Sequence, residues 1–357
     1  MAFDIYKVVA EEKIDEVAAK FKISVEELKR LNPDVRYFSS FFGAEYIACL
    51  QEVRVPYTEK IIKKEDKEKD VQVVNDLKFD QQARYRCEQT VVTKVNGIIQ
   101  NHADTKREFI VKKQQTQQGL FVYVNMVDNI IEAYQQPLEA AIKLVSEIDK
   151  IKCDVTVAVD GKTGKILRIV NHGQIIQKWG DLKQDLRARY DFLRADDSRH
   201  QFDEFIHLSE IQILKEENLI NDLRSKLFFD VFFDDYLVSK DIFEPYTRKY
   251  YSQLFDGYET LLDFKQDILS ESPSTVEIRK VSQIDKQKLN NDFLERKYNE
   301  KFRPMIKYKF SEFNFSVRER VTIDTEENWI NQSEITIIEE VKNNIQVLIT
   351  YKLTKIE

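Results

Sequence analysis

The spacing of apolar residues changes several times along the chain, and each change predicts a different element. Apolar residues recur at helical spacing from Ile14 to Phe21 and again from Val25 to Leu31. Asn32-Pro33 ends the second helix, because the residue before a proline is pushed out of the helical conformation. Alternating residues at Tyr6 to Val9 and at Val53 to Val55 predict strands on either side. Residues 1–56 therefore predict a βααβ unit.

The remainder of the chain alternates between strand and helix periods over longer stretches. Residues 83–171 read as strands interrupted by one helix, and Asn96-Gly97 is a hairpin turn signal. Helical stripes occupy residues 174–236, a mixed pattern fills residues 237–303, and three long alternating runs in residues 304–357 predict an antiparallel meander. Strands before and after a helical middle favour a single folded body.

These patterns predict the α+β fold class and three regions. The βααβ unit at 1–56 is followed by a charged linker at 57–82, which has no sustained apolar face, and by a larger α+β body at 83–357. We expect that body to be a curved antiparallel sheet around a helical middle, loosely similar to the folds of lipoprotein carriers. Its aromatic run from Phe228 to Tyr236 predicts either a buried helix end or a docking site.

Composition narrows the classes of partner. The 357 residues are 42% hydrophobic, enough for real cores, and 62 acidic against 55 basic residues leave a net charge of -7. With both signs mixed, this surface offers no broad basic field for nucleic acid. No segment approaches the roughly 20 apolar residues that span a bilayer, and the start of the chain lacks a signal-peptide pattern. Cys49, Cys87 and Cys153 are widely spaced, which favours reduced thiols in a cytoplasmic protein.

The first 56 residues resemble a lysin motif (LysM) domain in both order and spacing. Phe21-Lys22-Ile23-Ser24 matches the family phrase that ends its first helix, Val25 to Pro33 matches the second helix, and Leu50 to Pro56 matches the closing strand. Members of this family hold N-acetylglucosamine glycans in a shallow groove between two loops. The resemblance places that groove, as a glycan or docking site, at the loop residues Glu11, Glu12, Lys13, Ile14, Asn32, Pro33, Asp34 and Val35.

Two departures from the family change the expected function of this unit. The family has a small Gly-Asp-Thr turn, whereas this chain has Glu11-Glu12-Lys13, which adds side chains at the edge of the groove. The loop that follows the second helix is longer than usual and aromatic. It is a candidate protein-docking surface or an enlargement of a small core, and the residues concerned are Tyr37, Phe38, Phe41, Phe42 and Tyr46.

Few residues have the spacing of a catalytic or cofactor site. Gly161 to Gly164 spells the end of a phosphate-binding loop, but Thr156 stands where the pattern needs glycine and a strand follows, which indicates a hairpin turn. Asp234-Asp235 lacks a third ligand nearby, and His200 and His207 give two ligands alone. We therefore expect no catalytic residues, no metal and no cofactor.

These observations favour a non-enzymatic adaptor that docks protein partners through the LysM-like unit. LysM-like domains also occur in phage tails and contractile injection machines, so the concrete hypothesis is an accessory or cargo adaptor of such a machine, including type VI secretion. This protein would be cytoplasmic or exported without a signal peptide. One alternative is a protein that binds peptidoglycan or another N-acetylglucosamine polymer. A further alternative is a cell-wall-active effector carried by the LysM-like unit.

Overall fold

A computed structural model describes residues 3–7, 12–21, 23–33, 35, 37–39, 45–47, 52–56, 77–133, 139–190, 196–238 and 245–357. The chain divides into two compact units, Met1–Gln72 and Val73–Glu357. We call them the N-terminal unit and the sheet unit, and each is described by itself.

The N-terminal unit has two short helices between two paired strands. Strand β1 (Phe3–Lys7) runs antiparallel to β5 (Glu52–Pro56), and helices α1 (Ile14–Lys20) and α2 (Val25–Leu31) lie between them in the chain. The Ser24 hydroxyl accepts a hydrogen bond from the Glu27 backbone N–H at 3.1 Å and so caps α2. The core of this unit consists of Ile14, Val17, Ala18, Leu28, Val53 and Val55.

The same unit contains a three-stranded sheet of short strands, which we call the small sheet. It has the order β2-β4-β3, in which β2 is Glu12–Lys13, β3 is Tyr37–Ser39 and β4 is Glu45–Ile47. The sequence pattern did not predict these strands, because two or three residues are too few to establish an alternation.

In its described residues, the sheet unit is built on one antiparallel sheet of 11 strands. The strands are β6 (Gln81–Val95), β7 (Ile98–Thr116), β8 (Gly119–Ala133), β9 (Val155–Val159), β10 (Ile166–Ile169), β11 (Tyr246–Tyr251), β12 (Glu259–Glu271), β13 (Thr275–Ile284), β14 (Phe313–Asp324), β15 (Trp329–Val341) and β16 (Ile345–Lys355). Their order across the sheet is β10-β9-β8-β7-β6-β16-β15-β14-β13-β12-β11.

Two meanders make up this sheet, one before and one after the helical middle. In each meander, strands that follow one another in the chain are neighbours in the sheet. A tight turn joins β6 to β7 at Asn96 and Gly97, whose φ angles of 50° and 79° suit a two-residue hairpin. The meanders meet where β16 pairs with β6, from Ile345 opposite Val95 to Lys355 opposite Tyr85. One continuous sheet results, with β10 and β11 at its edges.

The helices of the sheet unit pack their apolar residues into one core with the sheet. They are α3 (Glu139–Lys152), α4 (His172–Arg189), α5 (Asp196–Leu214), α6 (Glu216–Ser225), α7 (Leu227–Phe232), α8 (Asn291–Lys301) and α9 (Arg303–Ile306), with short 3₁₀ turns at Asp235–Leu237 and Lys286–Lys288. Phe228 of α7 stacks on Phe109 of β7, with ring centres 3.9 Å apart. No helix in the described ranges is long and apolar enough to cross a membrane.

The predicted fold class is wrong. The chain is not an α+β assembly led by a LysM-like module; it is mostly one antiparallel sheet of 11 strands with accompanying helices. Two physical reasons account for the error. Residues 237–303 supply three of the strands, but polar residues such as Arg248 and Lys280 interrupt the apolar alternation there. The pairing of β6 with β16 joins residues more than two hundred positions apart, which local periodicity does not register.

Other expectations have mixed outcomes. The hairpin turn at Asn96-Gly97 is confirmed, and so is the buried alternative for the run from Phe228 to Tyr236. Pro304 lies in the first turn of α9, where a missing N–H costs nothing. Strand β6 begins at Gln81, inside the linker predicted at 57–82, most of which lies outside the described residues.

Candidate functional site

Six charged side chains meet inside the sheet unit, and we call them the buried charge cluster. Asp230 and Asp234 lie in and just after α7, and Lys165 lies just before β10. Strands β11, β13 and β14 each contribute one residue. These are Arg248, Lys280 and Glu319.

Asp234 is the centre of this cluster. Its Oδ1 lies 2.7 Å from Lys165 Nζ, and its Oδ2 lies 2.5 Å from Lys280 Nζ. Lys280 is only 1% exposed, and its Nζ is also 3.6 Å from Glu319 Oε1. A second pair lies alongside, in which Arg248 donates to Asp230 Oδ2 at 2.7 Å. The cations and carboxylates are therefore arranged as mutual partners.

Burial and neighbouring charge act in opposite directions on these groups. Burial alone raises the pKa of Asp234, but the charges of Lys280 and Lys165 outweigh it and hold that pKa well below its usual range. Burial raises the pKa of Glu319, which the charge of Lys280 only partly offsets. Burial lowers the pKa of Lys280, yet the charges of Glu319 and Asp234 raise it overall. Lys280 therefore stays charged inside the protein.

The turn between β9 and β10 brings Lys165 to the cluster. Asp160 Oδ1 accepts hydrogen bonds from the backbone N–H groups of Lys162 and Thr163, which shapes the turn. Gly164 has φ +67°, and a Cβ there would lie 2.0 Å from the carbonyl oxygen of Asp234. The hairpin interpretation of Gly161 to Gly164 is confirmed, and glycine is needed for the close approach to Asp234.

The buried charge cluster holds separate segments of the sheet unit together through ion pairs. Each oxygen of the Asp234 carboxylate faces a cationic side chain, Lys165 at Oδ1 and Lys280 at Oδ2. Among the described residues, no group of three or more His, Cys, Asp or Glu side chains is arranged to hold a metal ion. His200 and His207 both lie exposed on α5. The cluster joins the end of the helical middle to β11, β13 and β14 and also to the turn before β10.

Two thiols line a small cavity whose walls include residues of β6 and α3. Its volume is about 20 Å³, and its walls include Cys87, Cys153, Arg107 and Tyr351. Tyr351 donates its hydroxyl to Cys87 Sγ at 3.2 Å. Burial raises the pKa of each thiol to about 12, so both are protonated and unreactive at neutral pH. The expected free, buried thiols are confirmed for these two, and Cys49 lies outside the described residues.

Lys113 is another buried cation, separate from the cluster. Its Nζ donates to the carbonyl oxygens of Glu327 at 2.8 Å and Asn328 at 3.0 Å. The same Nζ lies 3.8 Å from the centre of the Trp329 ring. Burial, with the nearby charge of Lys355, lowers the pKa of Lys113 to about 7.

In the N-terminal unit, two of the predicted loop residues belong to the interior. Ile14 is in the core, and Asn32 is buried after α2. The Asn32 amide donates to the carbonyl oxygens of Leu28 at 2.9 Å and Arg54 at 2.6 Å, and its Oδ1 accepts from the Arg54 N–H at 2.5 Å. Asn32 therefore holds the end of α2 against β5. Pro33 is exposed and Val35 is half-buried.

The small sheet brings the first predicted loop and the aromatic insertion into register. Lys13 is paired with Tyr46, and Tyr46 is paired with Phe38 on the next strand. Glu12 and Tyr37 are both paired with Ile47 in the same way. The other predicted residues lie outside the described ranges, namely Glu11, Asp34, Phe41 and Phe42.

The sequence interpretation missed the charged cluster, although a signal for it exists. Lys280 stands in the alternating run Ile278, Lys280, Ser282, Ile284, and Glu319 stands between Val317 and Val321. A charged residue at an inward position of a strand needs a partner of opposite charge. Pairing the cation of one strand with the carboxylate of another was the missing step.

No protein-family model matches this chain, and no curated protein matches it either. Among solved structures, the chain is similar to one concerned with lipid–protein interactions in lipovitellin, with a TM-score of 0.40 and 10% identical residues. The similarity covers 77% of this chain and 25% of the lipovitellin chain, so this chain spans about a quarter of that neighbour's length. The comparisons name no family for this chain.

Proposed function

We propose that this protein is a non-enzymatic adaptor whose N-terminal unit docks another protein. The observation that carries the proposal is the small sheet, in which β4 of the aromatic insertion pairs with β2, the strand formed by Glu12 and Lys13. In the LysM-like interpretation, those residues border the glycan groove. The inserted segment therefore hydrogen-bonds along the border where a sugar chain would lie, and it replaces a shallow groove with a continuous edge of backbone.

The packed interior of the sheet unit supports a function that the protein carries out at its surface. In the described residues, α7 and the segment after it fill the space against the sheet with aromatic side chains, and the thiol-lined cavity has room for about one water molecule. The buried charges are occupied by one another. A stable body of this kind suits a protein that presents docking surfaces.

The cellular context of the proposal follows from the LysM resemblance. We place the adaptor in the cytoplasm of a bacterium, as an accessory or cargo adaptor of a contractile injection machine such as type VI secretion. The binding partner is then a protein component or cargo of that machine. The competing assignments are a protein that binds an N-acetylglucosamine polymer and a cell-wall-active effector, and the first of these is tested directly.

The first experiment is a calorimetric titration of chitohexaose into the full chain, with pelleting on purified peptidoglycan alongside. We expect no saturable binding up to about 1 mM, because the inserted segment covers the groove border. Saturable binding would instead assign the unit to a glycan polymer.

The second experiment identifies protein docking directly. Tyr46 is replaced by the photo-crosslinking residue p-benzoylphenylalanine in the full chain, and the native cells are irradiated. We expect one discrete protein adduct from this position and none from the same replacement at the exposed Lys265 of β12, the matched control. Equal adducts from both positions, or none from Tyr46, would refute docking through the small sheet.

A further inference from the structure

The two edges of the 11-stranded sheet differ in whether side chains bond to their outward backbone groups. At the β10 edge, Arg224 of α6 donates to the carbonyl oxygen of Ile166 at 2.6 Å. On the same strand, the Ile169 N–H donates to Glu216 Oε1 at 2.6 Å. Two side chains of one helix thus occupy backbone groups that an additional strand would need. The β10 edge is closed to strand pairing.

The β11 edge lacks such caps within the described ranges. Ser252 N–H donates to the Tyr258 carbonyl at 2.9 Å, which continues the register in which Tyr250 pairs with Thr260 and Arg248 with Leu262. In an antiparallel ladder, hydrogen-bonded pairs alternate with pairs that are not hydrogen-bonded. The intervening residues therefore direct their N–H and C=O groups away from β12. These residues are Thr247, Lys249 and Tyr251.

None of these outward backbone groups has a hydrogen-bond partner among the described residues of the sheet unit. They recur at every second residue, which is the spacing that an added strand uses. An extended peptide is the ligand whose chemistry fits such a row of donors and acceptors, since its own N–H and C=O groups repeat at the same interval.

The strand that carries this edge is held firmly in place. The Tyr246 ring stacks on Phe264 of β12, with ring centres 5.1 Å apart. The Arg248 side chain is held by its ion pair with Asp230 of the buried charge cluster. A strand held in this way is already in the conformation that a partner strand needs, so little ordering is required on binding.

We propose that the β11 edge of the sheet unit binds an extended segment of a partner protein by strand addition, with an acidic residue of that segment opposite Lys249. Lys249 is the charged residue among the three outward positions, and it is exposed beside Glu259, 2.6 Å from its carboxylate. An acidic residue on the added strand would approach Lys249 from its open side. This inference concerns the sheet unit and goes beyond docking through the N-terminal unit.

Charge also argues against a second copy of this chain as the occupant. A two-fold antiparallel pairing centred on β11 places Lys249 opposite Lys249 of the other copy, and a shift toward the start of the strand places Arg248 opposite Arg248. Like charges directly opposite each other destabilise a strand pair. A shift in the other direction shortens the overlap. A segment of different sequence avoids this conflict.

The first test measures amide hydrogen exchange in the full chain at single-residue resolution. We expect the outward amides of Thr247, Lys249 and Tyr251 to exchange at least about 10-fold faster than those of Arg248 and Tyr250, which bond to β12. Equal protection of both sets would mean that the edge is already covered, and would overturn the proposal.

The second test uses a fluorescein-labelled probe peptide, Thr-Val-Thr-Val-Glu-Val-Thr-Val, titrated into the full chain. We expect saturable binding and slower exchange of the outward amides in the complex. A matched peptide with Lys in place of Glu is expected to bind at least about 5-fold more weakly. Absence of saturable binding up to about 1 mM, or equal binding of the two peptides, would contradict the proposed occupant.

Lys249→Pro is the decisive variant. Proline removes the outward N–H at position 249 and leaves the hydrogen bonds between β11 and β12 intact. We expect it to weaken binding of the probe by about 10-fold or more, whereas Lys249→Ala, which keeps the N–H, weakens binding less. Unchanged binding by Lys249→Pro would refute strand addition at this edge.

Three further measurements keep the outcome interpretable. Thermal unfolding establishes that each variant is folded, and Lys249→Glu, which preserves the backbone donor, replaces Lys249→Pro if the proline variant fails to fold. Its expected result is reversed preference between the two peptides. Sedimentation velocity of the unliganded chain completes the set. A dimer that Lys249→Pro dissociates would assign the edge to a second copy and overturn the proposed partner.

Discussion

At the scale of single residues, the interior charges of the sheet unit are paired with one another. Asp234 is shared between Lys165 and Lys280, while Glu319 depends on Lys280 for an opposite charge. Removing both members of a buried ion pair is often tolerated, whereas removing one member leaves a charge without compensation. The cluster is therefore sensitive to single substitutions.

Lys280→Met tests this dependence. We expect the variant to lose about 3–5 kcal/mol of unfolding free energy, because Glu319 loses its cation and Asp234 loses one of two. Urea unfolding of the full chain measures the loss. Lys265→Met, at an exposed position of neighbouring β12, is the matched control and should change stability by less than about 0.5 kcal/mol. A loss of similar size in both variants would show that the cluster contributes little. Adding Glu319→Leu to Lys280→Met should recover part of the loss.

Lys113 makes the stability of the protein depend on pH, because burial lowers the pKa of its amine from 10.5 to about 7. Between these values the unfolded chain binds a proton that the folded chain lacks, so the free energy of unfolding rises with pH. We expect the stability of the natural chain, relative to Lys113→Met, to increase by up to about 1.4 kcal/mol per pH unit from pH 7 to 9.5. Unfolding in urea at several pH values gives the difference. A constant difference would mean that the carbonyls of Glu327 and Asn328 keep the amine charged.

Residue types in the sequence indicated part of this interior. The wide spacing of the cysteines indicated the free thiols that the structure has at Cys87 and Cys153. The identity of each ion pair was beyond the sequence, because Lys165, Asp234 and Lys280 come from three separate segments. Only folding brings their charges within hydrogen-bonding distance.

At the scale of elements, short segments depend on tertiary ties to stay in place. Helix α2 has seven residues, which is too short to be stable alone in water. The Ser24 cap supports its start, and the Asn32 amide ties its end to the backbone of Arg54 in β5. The sequence pattern located this helix and its end at Asn32-Pro33, whereas the tie between Asn32 and β5 depends on a residue more than twenty positions away.

Asn32→Ala measures the strength of that tie. The substitution removes three hydrogen bonds and leaves the carbonyl of Arg54 and its N–H without their partner, so we expect a loss of about 2–3 kcal/mol in the N-terminal unit. Hydrogen exchange of the α2 amides in the full chain measures the stability of the N-terminal unit separately from that of the sheet unit. Pro33→Ala, at the exposed neighbouring position, is the control and should leave exchange nearly unchanged. Equal exchange in Asn32→Ala and the natural chain would disprove the anchoring role.

At the scale of the whole sheet unit, the pairing of β16 with β6 closes the architecture. It joins the end strands of two meanders that would otherwise remain separate sheets. Such a pairing joins distant residues, so its formation carries a large loop-closure cost and is slow. Once formed, it removes two long edges from solvent.

A chain that ends at Asn343 lacks β16 and tests this closure. We expect the truncated protein to lose cooperative unfolding and to aggregate, because β6 and β15 both become exposed edges. Differential scanning calorimetry and light scattering measure the two effects. Removal of Ile356 and Glu357 alone, which costs their two backbone hydrogen bonds to Arg84, is the control and should preserve the natural transition. A monomeric truncated chain with the natural transition would contradict the closing role of β16.

The sequence by itself determined the local features of this protein. Periodicity located the helical middle, the turn at Asn96-Gly97 and the hairpin at Gly161 to Gly164, because such elements depend on residues close in the chain. Tertiary structure decided which strands are neighbours, where the sheet ends and which charges meet. Those choices depend on pairings between distant segments, where many alternatives have the same local pattern and only the packed whole selects one.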